Sequence, residues 1–135
     1  MNLLNTVTAP VAPGPGYRVL VVRRRQSVAE DIVGTVMQHR GHAVEFRSLG
    51  PAAFVDLGQY HLIVLELADD DPGGLMACSR LREVSRVPLL VLVASRAKHQ
   101  GIRALELGAD TFVLVPFDRR ELAARSEALM RRYER

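Results

Sequence analysis

The chain has 135 residues, 48% of them hydrophobic and 24% charged, a balance that fits one globular domain and excludes a disordered chain. Its formal charge of +3 rests almost wholly on arginine, Lys98 being the single lysine, and favours anionic partners only weakly. One cysteine, Cys78, excludes an internal disulfide and fits a cytoplasmic protein, and no apolar stretch is long enough to span a membrane. Residues 1–16 end in Pro13-Gly14-Pro15-Gly16, lack the order of a signal peptide, and read as a flexible N-terminal tail.

Residues 17–22 (YRVLVV) are a predicted first strand, followed at once by Arg23, Arg24 and Arg25. Ser27 then offers a helix N-cap, with Glu30 three residues on to complete a capping box. Val28, Ile32, Val33, Val36 and Met37 give this helix an apolar face, and Gly41 ends it. Residues 43–46 make a short second strand, and Pro51 opens a short helix through Leu57. Residues 61–65 (HLIVL) form an apolar run, the pattern of a central strand buried on both faces, which drives into Glu66 and an acidic, glycine-ended loop. A third helix presents Leu75, Cys78 and Leu81 on one face, and residues 88–93 (PLLVLV) are a fourth buried strand. Ile102, Leu105 and Ala109 line a fourth helix that Gly108 terminates. Residues 111–115 are the fifth strand. Asp118, with Glu121 three residues on, caps a last helix whose inner face holds Leu122, Ser126, Leu129 and Met130.

Strands and helices alternate five times with short joins. That predicts an α/β fold of three layers, a doubly wound five-stranded parallel sheet of order 2-1-3-4-5 over residues 17–132, with 133–135 as its end or the start of a linker. In such sheets ligands and chemistry sit at the carboxyl ends of the strands, so Glu66 stands where a reactive group would stand.

The layout of residues 17–132 resembles the receiver domain of bacterial two-component response regulators. The resemblance rests on RVLVV, on LIVLEL with Pro72 and Gly74 ahead of SRLR, and on VPLLVLVA; ELGAD and the Pro116-Phe117 pair are similar to the OmpR-like winged-helix branch. It implies a phosphoacceptor aspartate where Glu66 stands and two magnesium-binding acidic residues where Arg23 and Arg24 stand. It further implies a hydroxyl at Val93, a mobile aromatic ring at Phe112 and a lysine at Val115. Every chemical position departs while the scaffold stays, so the resemblance implies an atypical receiver, no enzyme, with no cofactor and no metal. Val93 cannot bond a phosphoryl oxygen and Val115 cannot neutralise one, while arginines beside the carboxylate repel a dication. The implied dimer face joins the fourth helix, fifth strand and fifth helix. Asp110, Glu121 and Arg125 match its charges, and Gly101 and Thr111 stand in place of charged partners. DNA would be reached only through an effector domain outside these residues.

Glu66 is expected to pair with Arg23 or Arg24 across the first and third strands; the sharper alternative is a mimic of a modified aspartate. The Arg23–Arg25 cluster reads as solvated and partly paired, or else as a pocket for an anion. Asp69-Asp70-Asp71 reads as a solvated loop that pairs with the arginines, the alternative being a metal site with Glu66. His39, His42, His61 and His99 show no ligand spacing, Cys78 reads as core, and Phe112 as a fixed inward ring. The expected function is a non-phosphorylatable receiver-like signalling domain of a transcriptional response regulator, acting through protein–protein contact or dimerisation, the expected partner being a second copy across the fourth helix, fifth strand and fifth helix. The alternative is a small-molecule sensor whose anionic ligand binds Arg23–Arg25.

Overall fold

The computed structural model describes residues 16–24 and 26–134; the expected tail at 1–15, together with Arg25 and Arg135, lies outside the described residues. In chain order the elements are β1 (Arg18–Arg23), α1 (Val28–His39), β2 (Ala43–Ser48), β3 (Leu62–Glu66), α2 (Pro72–Val84), β4 (Leu89–Ala94), α3 (Lys98–Glu106), β5 (Thr111–Val115) and α4 (Arg119–Glu134). All strands pair parallel in the order β2-β1-β3-β4-β5, as the alternation predicts. The expected second helix is instead two 3₁₀ turns, Pro51–Phe54 and Leu57–Gln59, parted by Asp56 in the left-handed region at φ 53°. The fourth and fifth helices of the sequence reading are therefore α3 and α4. The last helix continues past Arg132 to Glu134.

Strand side chains alternate between two cores. Val19, Val21, Leu62, Val64, Leu90 and Leu92 pack with Val33 and Met37 of α1 and Leu122 and Met130 of α4. Leu20, Val22, Ile63, Leu65, Val91 and Val93 pack on the opposite face with Cys78 and Leu81 of α2 and Ala104 of α3. Because both faces are covered, the central strands need the near-continuous apolar runs that the sequence carries.

Three residues expected inside lie outside. Val28 is 73% exposed because the capping box turns Glu30, fully buried, toward the sheet in its place. Ile102 and Leu105 are 47% and 40% exposed, and α3 instead buries Gln100, Gly101 and Ala104. The reason is the Phe112 ring, which fills the space below the helix: a Cβ on Gly101 would lie 2.6 Å from Phe112 Cγ. Phe112 is thus packed inward against the second core, only partly buried, as the sequence reading favoured. Among the described residues no helix is long and apolar enough to cross a membrane.

Candidate functional site

The carboxyl ends of β1 and β3 meet the first turns of α1 and α2, and strand parity decides which side chain meets which helix. Glu66 follows Leu65 and so points to the α1 face, where its Oε1 accepts a hydrogen bond from Ser27 Oγ at 2.5 Å. Ser27 Oγ in turn accepts from the Glu30 N–H at 3.1 Å, so one hydroxyl both caps α1 and holds Glu66. Arg23 shares this face but is drawn to Asp31 (2.6 Å) and Glu30 (3.5 Å), with its guanidinium stacked over Phe46 at 4.1 Å.

Arg24 turns to the α2 face. Its guanidinium makes a two-pronged contact with the Asp71 carboxylate, and its Nη1 also donates to the Glu66 backbone carbonyl at 3.2 Å. Asp71 caps α2, accepting from the Gly74 N–H at 2.9 Å and the Ala68 N–H at 2.8 Å. Burial alone would raise the Asp71 pKa. The Arg24 guanidinium and the two backbone N–H groups outweigh it and bring the carboxyl down to about 2. Gly74 is required here, because a Cβ at that position would stand 2.6 Å from both Arg24 Nη1 and Asp71 Oδ2.

The expected ion pair between Glu66 and Arg23 or Arg24 is therefore corrected. Each arginine finds a nearer carboxylate on the helix facing it, and the Glu66 side chain goes to a hydroxyl. The pairing of the acidic loop with the arginines holds for Asp71; Asp69 instead meets Arg96 at 2.5 Å. One contributor is missed as a site residue in the sequence, Ser27, which reads there only as a cap; Asp71 is in view as an arginine partner but not as the cap of α2, for which the Pro72 directly after it is the signal.

The remaining corners are apolar. Val93 near the end of β4 is fully buried, and Val115 closes β5 beside a cis peptide to Pro116. Among the described residues no three His, Cys, Asp or Glu side chains gather to hold a metal. The magnesium implied by the resemblance does not fit this site: the guanidinium of Arg24 already lies between Asp71 and the Glu66 carbonyl, and Glu30 is used by the Arg24 and Ser27 N–H groups. On the far edge, Asp110 accepts from Arg82 and from the Leu89 N–H, both at 2.7 Å, and Glu121 pairs with Arg125 at 3.0 Å along α4. All three candidate dimer charges thus have partners inside the chain.

No protein-family model matches the chain. It is 36% identical over 143 aligned positions to the alkaline phosphatase synthesis transcriptional regulatory protein SphR of Synechococcus elongatus, covering 97% of this chain and 55% of that protein. To the sensory transduction protein RegX3 of Mycobacterium tuberculosis it is 32% identical over 116 positions, covering 84% and 51%. Among solved structures, the receiver domain of the response regulator TorR superimposes with a TM-score of 0.71 at 26% identity, covering 87% of this chain and 98% of that one. A putative response regulator from Chloroflexus aurantiacus gives 0.72 at 23% identity, covering 86% and 98%, a likeness of fold. Fold and sequence together define a receiver domain of the two-component response-regulator type. The chain spans about half the length of the curated relatives it matches.

Proposed function

We propose that this receiver domain signals through protein contact in a fixed state and takes up no phosphoryl group. The observation that carries the reading is Arg24. Its guanidinium is a covalently attached cation bound to Asp71 and to the Glu66 carbonyl, which leaves a magnesium ion neither room nor carboxylates. With Glu66 tied to Ser27, and Val93 and Val115 at the other corners, charge stabilisation for phosphoryl transfer is lacking, so the domain is not an enzyme and works without a cofactor.

The contact surface is the face of α3, β5 and α4, and its occupant is a second copy of the chain. Exposed Ile102 and Leu105 supply apolar area there, with Glu121 and Arg125 alongside. Since Asp110, Glu121 and Arg125 are paired internally, the apolar residues carry the association. DNA is reached through an effector domain beyond these residues, in a cytoplasmic transcriptional regulator of the kind SphR is named for. The anion sensor at Arg23–Arg25 has less support, because Arg23 and Arg24 are both engaged by carboxylates.

Sedimentation of the chain tests the contact. A dimer is expected at high concentration, lost in Ile102→Asp and weakened less by Arg125→Ala; a monomer at every concentration, or a dimer indifferent to Ile102→Asp, would overturn it. Incubation with acetyl phosphate and magnesium tests the chemistry: the intact mass should stay unchanged, and a stoichiometric adduct lost in Glu66→Ala would refute the reading.

A further inference from the structure

Away from the Glu66 site, a groove of about 560 Å³ between α1 and α4 gathers several arginines. Buried Val36 and Ala123, with Ala124, make an apolar floor. Four arginines stand around it, Arg40, Arg119, Arg120 and Arg131, against the single carboxylate of Glu127. That carboxylate is already used: Arg40 holds it at 2.8 Å, His42 Nε2 lies 2.8 Å from it, and its pKa is lowered, first by the Arg40 hydrogen bond. Arg119, Arg120 and Arg131 have no carboxylate within 4.0 Å among the described residues.

Arg119 and Arg120 open α4, where the helix dipole adds positive charge. The Asp118 carboxylate caps that end through the Arg120 and Glu121 N–H groups at 2.7 and 3.1 Å, and the two exposed guanidinium groups are left lining the groove. An anion in the groove would match them. The groove's volume lies within the usual range for small-molecule sites, and an apolar floor under a few convergent charges is their usual composition. Guanidinium groups both bind phosphate and stack on planar rings.

We propose that the α1–α4 groove binds a nucleoside phosphate, its phosphate held by Arg119 and Arg120 and its base lying on the Val36–Ala123–Ala124 floor toward Arg131. The site is separate from Glu66 and stands whether or not the chain dimerises. It moves anion recognition from Arg23 and Arg24, which are neutralised, to arginines that are not.

The test is a titration of the isotope-labelled full chain with AMP, GMP, CMP and UMP, and with inorganic phosphate, at matched ionic strength, followed by amide shifts and melting temperature. At least one nucleotide should shift amides of Thr35, His39, Arg120 and Ala124 and raise the melting temperature, with inorganic phosphate weaker. The double variant Arg119→Ala/Arg120→Ala should lower affinity roughly tenfold or more while melting no lower than the parent without ligand. Ala124→Glu, at an exposed position, should abolish binding, and Arg23→Ala should leave it unchanged. No response to any of the four nucleotides would overturn the proposal. So would a response matched by inorganic phosphate, one that survives the double variant, or one that maps to Arg23 and Arg24.

Discussion

Arg24 and Asp71 form a pair of the buried kind, with side chains 17% and 7% exposed. Removing one partner of such a pair leaves the other charge unmatched, so Arg24→Ala should destabilise by about 3 kcal/mol in denaturant unfolding. Two backbone N–H groups still hold Asp71 in that variant, which keeps the cost at the lower end for its kind. The same carboxylate sets a pH dependence. Its folded pKa, about 2, lies below the ordinary 3.8, so its contribution is full above pH 4 and is lost as pH falls through 2. Stability of the parent relative to Asp71→Asn should therefore shrink by about 2 kcal/mol between pH 5 and pH 2, and a constant difference would count against the clamp. Cys78 is the opposite case, since burial pushes its thiol up to about 11. It should resist alkylation at pH 8 until the chain unfolds. At this scale the sequence was legible for types and not for partners. Glu66, Arg23, Arg24 and the acidic loop were all in view, but pairing depends on strand parity and on which helix turn lies nearest. One residue of offset sends Arg23 to α1 and Arg24 to α2.

The strands and the caps were the most legible elements. An apolar run between turn residues has few structural alternatives, and the Ser27–Glu30 box and the Asp118 cap form by local hydrogen bonds that spacing alone predicts. The segment from Pro51 was harder, because one residue in the left-handed region splits it into two turns. Helix α3 was harder still. Its apolar residues suggested Ile102 and Leu105 as the inner face, whereas a tertiary neighbour, the Phe112 ring, selects the face with Gly101. This makes a coupled prediction. Gly101→Ala places a Cβ where the ring lies, and overpacking of this kind costs about 1–3 kcal/mol despite the better helix propensity of alanine. Phe112→Leu leaves room for the new methyl. In a double-mutant cycle the pair should cost less than the sum of the single changes, and simple additivity would mean the ring does not decide how α3 sits.

For the whole molecule, topology was readable because alternating elements, short joins and right-handed crossovers leave few arrangements of a five-stranded parallel sheet. What the topology does not carry is whether the domain has one state or two. A receiver that switches needs an event at the carboxyl edge that favours one arrangement over another, and a ligand shifts such an equilibrium only by its differential affinity. Here the edge is held by groups that belong to the chain: Arg24 on Asp71 and the Glu66 carbonyl, and Ser27 on the Glu66 carboxylate. Acetyl phosphate with magnesium should accordingly leave melting temperature and association state unchanged, as seen by calorimetry and sedimentation. Glu66→Asp sharpens the test, because it restores the implied phosphoacceptor while shortening the side chain by one methylene. Arg24 would still fill the cation position, Arg23 would still pair with Glu30 and Asp31, and Val93 and Val115 would still offer neither a hydroxyl nor a charge. Glu66→Asp should thus gain no phosphoryl mass, and should melt lower than the parent as Ser27 loses its partner. Phosphoryl uptake by this single variant would show that the arginines move aside and that the domain is a switch held off by one residue.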